Sequence, residues 1–373
     1  MERSKLIIAS SESSADQLHA AKFRAPDAFI FLRSGGKTRL LLSDLEVDRG
    51  RSEAGVDEVH AFSEVEKRLA GKSKKKPSHT KVVAAWLKEN KAVSVEVPGD
   101  FPLGLACSLR DEGIRIVASD GPFWPGRQFK SRDEVCAIEA ALRIAEAGIL
   151  RALEILRAAK ARKDGTLVLK RQVLTAEALR IEMETAVVRA GGESRGDTIV
   201  ACGEQACDPH GRGQGALRAN ELLILDIFPR DARTGFFGDI TRTVVRGRAS
   251  GAQRHLWETC LAGQKFALKK LRPGVSGSVV HEAIKSLFAA NGYPTGIRNG
   301  RWQGFFHGTG HGLGLEVHEF PRFAATTFAP GQVLTVEPGI YIPGLGGVRH
   351  EDVVLVTKSA PRMLTSLPKT LEI

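Results

Sequence analysis

Apolar residues recur along this 373-residue chain in two rhythms. In the first third they come as short runs, Lys5-Leu-Ile-Ile-Ala, Ala28-Phe-Ile-Phe-Leu and Val93-Ser-Val-Glu-Val, which predict strands. An amphipathic stretch from Thr80 to Asn90 predicts a helix, and Arg115-Ile-Val opens a further strand. Gly121-Pro-Phe-Trp-Pro-Gly126 then breaks the pattern. The boundary is placed there, giving a mixed α/β N-terminal domain over 1–125 and a second domain over 126–373.

Helical spacing dominates next. Ser131-Arg-Asp-Glu134 has the form of a capping box, in which Ser and Glu side chains satisfy each other's backbone N–H groups. Val135, Ile138, Leu142, Ile149, Leu153 and Leu156 follow on one stripe, so a helix is predicted to about Ala161. Three more helices are expected over Ala176–Ala190, Ala252–Leu271 and Val279–Ala290, each closed by glycine or Arg-Pro-Gly. Strands are expected at Leu222–Phe228, Asp239–Val245, Val333–Glu337 and Glu351–Thr357. Paired helices with strands between them indicate an α+β domain, with helices on one face of a sheet.

Carboxylates sit at the ends of these strands. Side chains alternate along a strand, so Asp226 shares a face with Leu222 and Ile224, and Asp239 with Thr241 and Thr243. Glu337 likewise joins Val333 and Thr335, and Glu351 joins Val353 and Leu355. Burial of an unpaired carboxylate is costly, and several together repel one another. Divalent cations resolve both problems. Phe306-His-Gly-Thr-Gly-His-Gly-Leu-Gly-Leu-Glu-Val-His-Glu319 adds His307, His311 and His318; its glycines argue for a kinked extended segment rather than a helix. Carboxylates with imidazole and no thiolate suit Mn²⁺, Co²⁺ or Fe²⁺, with Zn²⁺ as an alternative.

Taken in order, Asp226-Ile-Phe, Asp239-Ile-Thr-Arg-Thr, His307-Gly-Thr-Gly-His-Gly-Leu-Gly, Val317-His-Glu, Thr335-Val-Glu-Pro-Gly-Ile-Tyr and Val348-Arg-His-Glu-Asp resemble the pita-bread metallopeptidases. That group includes methionine aminopeptidase, prolidase, aminopeptidase P and the metal-free creatinase. The N-terminal domain and the Val317-His-Glu spacing resemble the Xaa-Pro aminopeptidase and prolidase branch. The resemblance implies a pita-bread catalytic domain and two divalent metal ions, Mn²⁺ first. It places them on Asp226, Asp239, His311, Glu337 and Glu351, with Asp239 and Glu351 bridging. It implies substrate-side roles for His210, His307, His318 and Arg349, with His210, His318 and Glu337 in the catalytic set. The implied substrate is a peptide or dipeptide with proline second, and the implied assembly is a homodimer. Two departures stand out: Ile-Phe follows Asp226, and the Asp226–Asp239 connection is about two residues longer than usual for such proteins. Asp231 lies within it, but Ile-Thr-Arg-Thr follows Asp239.

Composition narrows the alternatives. Apolar and charged fractions of 42% and 26% are those of a soluble globular protein. No apolar run reaches the roughly 18–20 residues of a membrane span, and MERSKLIIASSESSADQLH lacks a signal peptide's long apolar stretch, so a cytoplasmic location is expected. Five scattered cysteines argue against a disulfide framework; Cys202 and Cys207 lack the second half of a zinc site. The +11 charge, with the lysine run Gly71–Lys81, comes without any nucleic-acid-binding motif, so no specific nucleic acid is expected. The competing readings are a creatinase-like C–N hydrolase and a catalytically silent binding protein on the same fold.

Overall fold

A computed structural model describes residues 3–71 and 76–373. The centre of the lysine run, residues 72–75, lies outside the described residues. The chain divides into two units, Met1–Arg127 and Gln128–Ile373.

In the first unit the described residues form a six-stranded sheet. Its strands are β1 (Ser4–Ala9), β2 (Phe29–Ser34), β3 (Lys37–Leu42), β4 (Glu58–Ala61), β5 (Ser94–Val97) and β6 (Arg115–Ala118), in the order β4-β3-β2-β1-β5-β6. Period-2 alternation serves both faces. Ile30 and Leu32 join one core cluster, which takes in Val83, Trp86 and Leu87 of the helix His79–Glu89; Phe29 and Phe31 join the other.

The second unit begins with α1 (Arg132–Ala158), whose capping box is formed by Ser131 and Glu134. This helix ends three residues before the predicted Ala161: Ala159 is extended (ψ 143°), and Lys160–Ala161 instead starts a small three-stranded sheet. α2 (Ala176–Arg189), α3 (Gly251–Lys270) and α4 (Gly277–Ala290) follow. Three strands pair antiparallel: β7 (Ile199–Cys202), β8 (Leu222–Ile227) and β9 (Ile240–Val245). A second sheet orders β11 (Glu319–Arg322), β10 (His311–Gly312), β12 (Val333–Val336) and β15 (Asp352–Leu355). A hairpin of β13 (Gly339–Ile342) and β14 (Gly346–Arg349) stands between β12 and β15 in the chain.

Alternation along these strands separates oil from acid. Leu223, Leu225, Ile227, Ile240 and Val244 pack with α1 and α2. Leu334, Val336, Val354 and Val356 pack with α3 and α4. The intervening positions, which include Thr241, Thr243 and Thr335, point away from those helices, and all three are buried. The acids at the strand ends therefore face the polar interior.

Candidate active site

Register positions the first two acids. Asp226 lies opposite Thr241 and Ile227 opposite Ile240, which leaves Asp239 one residue beyond the end of β9. Asp231 has a different task. Its Oδ1 accepts from the amides of Arg233 (2.7 Å) and Thr234 (3.1 Å), so it closes the turn of the intervening loop.

Two glycines account for much of the histidine segment. A Cβ on Gly310 would collide with the Thr335 carbonyl, and the Thr335 hydroxyl accepts from the His311 amide at 3.0 Å. A Cβ on Gly339 would strike the Tyr341 hydroxyl and His307 Nε2. The segment is not helical, as the glycines predict, but bends occupy much of it; before β11 only His311–Gly312 is strand, and this β10 is pinched between β11 and β12.

Asp239, His311 and Glu351 each offer a ligand atom within 4.8 Å of the others, and all three are buried. His311 Nε2 lies 3.0 Å from Glu337 Oε1 and 3.8 Å from Asp239 Oδ2. The Thr241 hydroxyl donates to Glu351 at 2.8 Å. Asp226 pairs with Arg349 at 2.6 Å through Oδ2, while its Oδ1 is buried with no hydrogen-bond partner. Behind the cluster, Arg242 bonds the Glu351 carbonyl at 2.5 Å and Asp352 at 2.9 Å. Gln264 donates to Asp352 and to the carbonyls of Val336 and His350. Such outer partners fix ligand orientation.

Electrostatics show what the cluster lacks. Burial, then repulsion from Asp226, pushes Asp239 well above the carboxylate range; burial, then repulsion from Asp239, does the same to Glu351. Burial also works to raise Glu337, but its hydrogen bond to His311 and the charge of that ring hold it low. His311 is raised in turn: burial opposes its charge, and Glu337 outweighs burial. By themselves Asp239, Glu351 and His311 retain protons. Cations would replace those protons, and the orphaned Asp226 Oδ1, the oxygen-rich donors and the single imidazole fit hard to borderline divalent ions.

The cluster opens into a cleft of about 410 Å³, which His210, His307, His318 and Arg349 also line. His210 is exposed, and its amide donates to Asp208 at 3.2 Å in a local turn. The His318 ring stands edge-on to His311 with centroids 4.4 Å apart; loss of solvent, then the His311 charge, lowers its pKa. His307 donates from Nδ1 to the Gly308 carbonyl at 2.8 Å, and burial drops it to about 4. It is therefore neutral, and Nε2 accepts from the Tyr341 hydroxyl at 2.8 Å. Arg349 lines the cleft with its donors already engaged by Thr241, Tyr341 and Asp226.

Tyr341 was not singled out by sequence reasoning. It is fully buried and joins Arg349 to His307. The signal available was its place two residues past Gly339 in a chain with two tyrosines. Of the cysteines, Cys207 is buried, and burial raises Cys202 to about 12 and Cys207 to about 11. Neither belongs to a metal-ligand cluster among the described residues.

Comparison with known proteins identifies the family and the fold. Metallopeptidase family M24 matches residues 136–358. A Xaa-Pro dipeptidase of Pyrococcus horikoshii is 32% identical over 250 residues, covering 66% of this chain and 64% of the relative. The chain thus matches a little under two thirds of the length of such curated relatives. Among solved structures, the X-Pro aminopeptidase of Thermotoga maritima superposes with a TM-score of 0.82 at 24% identity, covering 100% of this chain and 97% of that one. The prolidase of Pyrococcus horikoshii gives 0.78 at 26% identity, covering 99% and 95%. This chain belongs to metallopeptidase family M24, and its fold is the pita-bread fold. No helix among the described residues is long and apolar enough to cross a membrane.

Proposed function

We propose that the chain is a dinuclear-metal-dependent exopeptidase that hydrolyses the Xaa-Pro bond at the N-terminus of peptides or in dipeptides. The observation that carries this reading is the buried meeting of Asp239, His311 and Glu351, with Glu337 and Asp226 beside them. Family membership and the Xaa-Pro dipeptidase relative support it.

In this reading Asp226, Asp239, His311, Glu337 and Glu351 hold two divalent cations, Mn²⁺ first. The chemistry such a pair supplies when bound is Lewis acidity, which makes water a nucleophile near neutral pH and polarises a carbonyl. Glu337 orients the water and takes its proton. His318, edge-on to His311, faces the cleft as an oxyanion partner. Neutral His307 and the Tyr341–Arg349 pair form the wall for the proline ring. His210 completes the opposite lip.

Free cysteines support a reducing, cytoplasmic setting. The homodimer rests on family resemblance, and sedimentation tests it. The central experiment assays Xaa-Pro dipeptides and longer Xaa-Pro peptides after chelation and after restoration with Mn²⁺ or Co²⁺. Restored cleavage before proline is expected. Full activity of a verified metal-free sample would sink the reading.

A further inference from the structure

One wall of the cleft carries arginine charge that the hydrolytic chemistry leaves unused. Between residues 195 and 212 the chain contributes Arg195, Arg212 and His210 to the lining, and one acid, Asp197. The wall is tied to the acid cluster, because Ile199 lies opposite Asp226 in register. It is also pinned from behind: buried Arg180 donates to the carbonyls of Thr198 (2.7 Å) and Gly213 (2.8 Å), and Arg212 donates to that of Gly196. Arg212 therefore braces the loop. Arg195 is exposed to the cleft and, among the described residues, makes no hydrogen bond or ion pair.

Position selects which part of a substrate it meets. A small hollow leads away past Phe228, with Arg195 and Asp197 in its lining. A larger cavity leads away past His307. The two share no residue, so Arg195 and His307 mark different flanks of the cleft. With proline against His307, the flank at Arg195 receives the side chain of the residue before it.

We propose that Arg195 is a specificity residue which selects substrates whose first residue carries a carboxylate, Glu-Pro or Asp-Pro. This rests on the Xaa-Pro reading above. A guanidinium presents a planar fork suited to a carboxylate, and with no internal partner it gives up no existing bond on binding one.

The test measures kcat/KM of the Mn²⁺-loaded enzyme for Glu-Pro, Gln-Pro and Lys-Pro at low and high salt. Glu-Pro should exceed the isosteric Gln-Pro by about tenfold at low salt, and the ratio should shrink at about 0.5 M salt. In Arg195→Gln the Glu-Pro to Gln-Pro ratio should fall to near one; in Arg195→Glu, Lys-Pro should overtake Glu-Pro. A wild-type ratio near one, or a ratio unchanged in Arg195→Gln, overturns the proposal while leaving the peptidase reading intact. Failure to cleave all three dipeptides and also longer peptides that begin Glu-Pro, Gln-Pro or Lys-Pro removes both.

Discussion

Arg349 and Asp226 form a buried ion pair, with a guanidinium nitrogen 2.6 Å from Oδ2. The same guanidinium reaches Tyr341 at 2.8 Å, and Tyr341 reaches His307 at 2.8 Å. A candidate metal ligand and a substrate-facing histidine are thus joined through two intermediates on β13 and β14.

Replacing Arg349 by Gln leaves Asp226 buried without its charge partner. Stability should fall by about 3–5 kcal/mol in the metal-free protein. With Mn²⁺ present the loss should be smaller, since cations supply the missing positive charge. Thermal unfolding with and without metal checks both; an equal loss in the two states would argue against Asp226 as a ligand.

Tyr341→Phe keeps the ring and deletes the hydroxyl link. The stability loss should be about 1 kcal/mol. His307 loses its orienting partner, so kcat/KM on an Xaa-Pro dipeptide should drop by about tenfold, a loss of about 1.4 kcal/mol in transition-state stabilisation. Metal content by atomic absorption should stay unchanged.

Chelation should both abolish activity and lower the unfolding temperature, because ligand binding to the native state at about 1,000 times Kd adds about 4 kcal/mol. Metal entry should release protons, since His311, Asp239 and Glu351 are all raised in the bare cluster. Calorimetry in buffers of different ionisation enthalpy reads that release. For the metal-free protein the sign follows from His311, which is raised from 6.5 to about 9. Its stabilising contribution is complete below 6.5 and is lost as pH climbs through about 9. Metal-free unfolding followed from pH 6 to 10 should therefore show declining stability.

Lys130 and Glu319 form an ion pair with side-chain exposures of 4% and 3%. Lys130→Met should cost about 3–5 kcal/mol in urea unfolding by taking a buried cation away from Glu319. Adding Glu319→Gln to Lys130→Met should recover part of the loss, because a neutral amide is cheaper to bury than a carboxylate.

Thiol labelling at pH 8 should modify exposed Cys107 and Cys136 first. Cys202, Cys207 and Cys260 should resist until the chain unfolds, since burial pushes their pKa values to about 12, 11 and 12. Peptide mapping of the labelled protein distinguishes the two groups.

Much of this was legible in the sequence, for identifiable reasons. The Ser131 capping box and the stripe from Val135 to Leu156 are local signals, and α1 follows them. Strand alternation put Asp226 and Asp239 on faces away from the helices, because parity survives whatever the tertiary arrangement. Less could be read where contacts are distant in sequence. Tyr341, Thr241 and Gln264 act on groups 8 to 110 positions away, and nothing near them in the chain announces those partners. The end of α1 was missed because the Lys160–Val173 sheet competes for its last turn.

The connection from Phe228 to Gly238 leaves one ladder strand and returns to the next, while Asp226 and Asp239 are fixed by the rungs on either side. Its length is consequently decoupled from ligand spacing. Residues can be added or removed at its tip, residues 232–234, without sliding either acid along its strand. A single-residue slip within β8 or β9 would instead turn an acid toward the oil of α1 and α2. Selection and engineering have a free hand at that tip and almost none at the anchor.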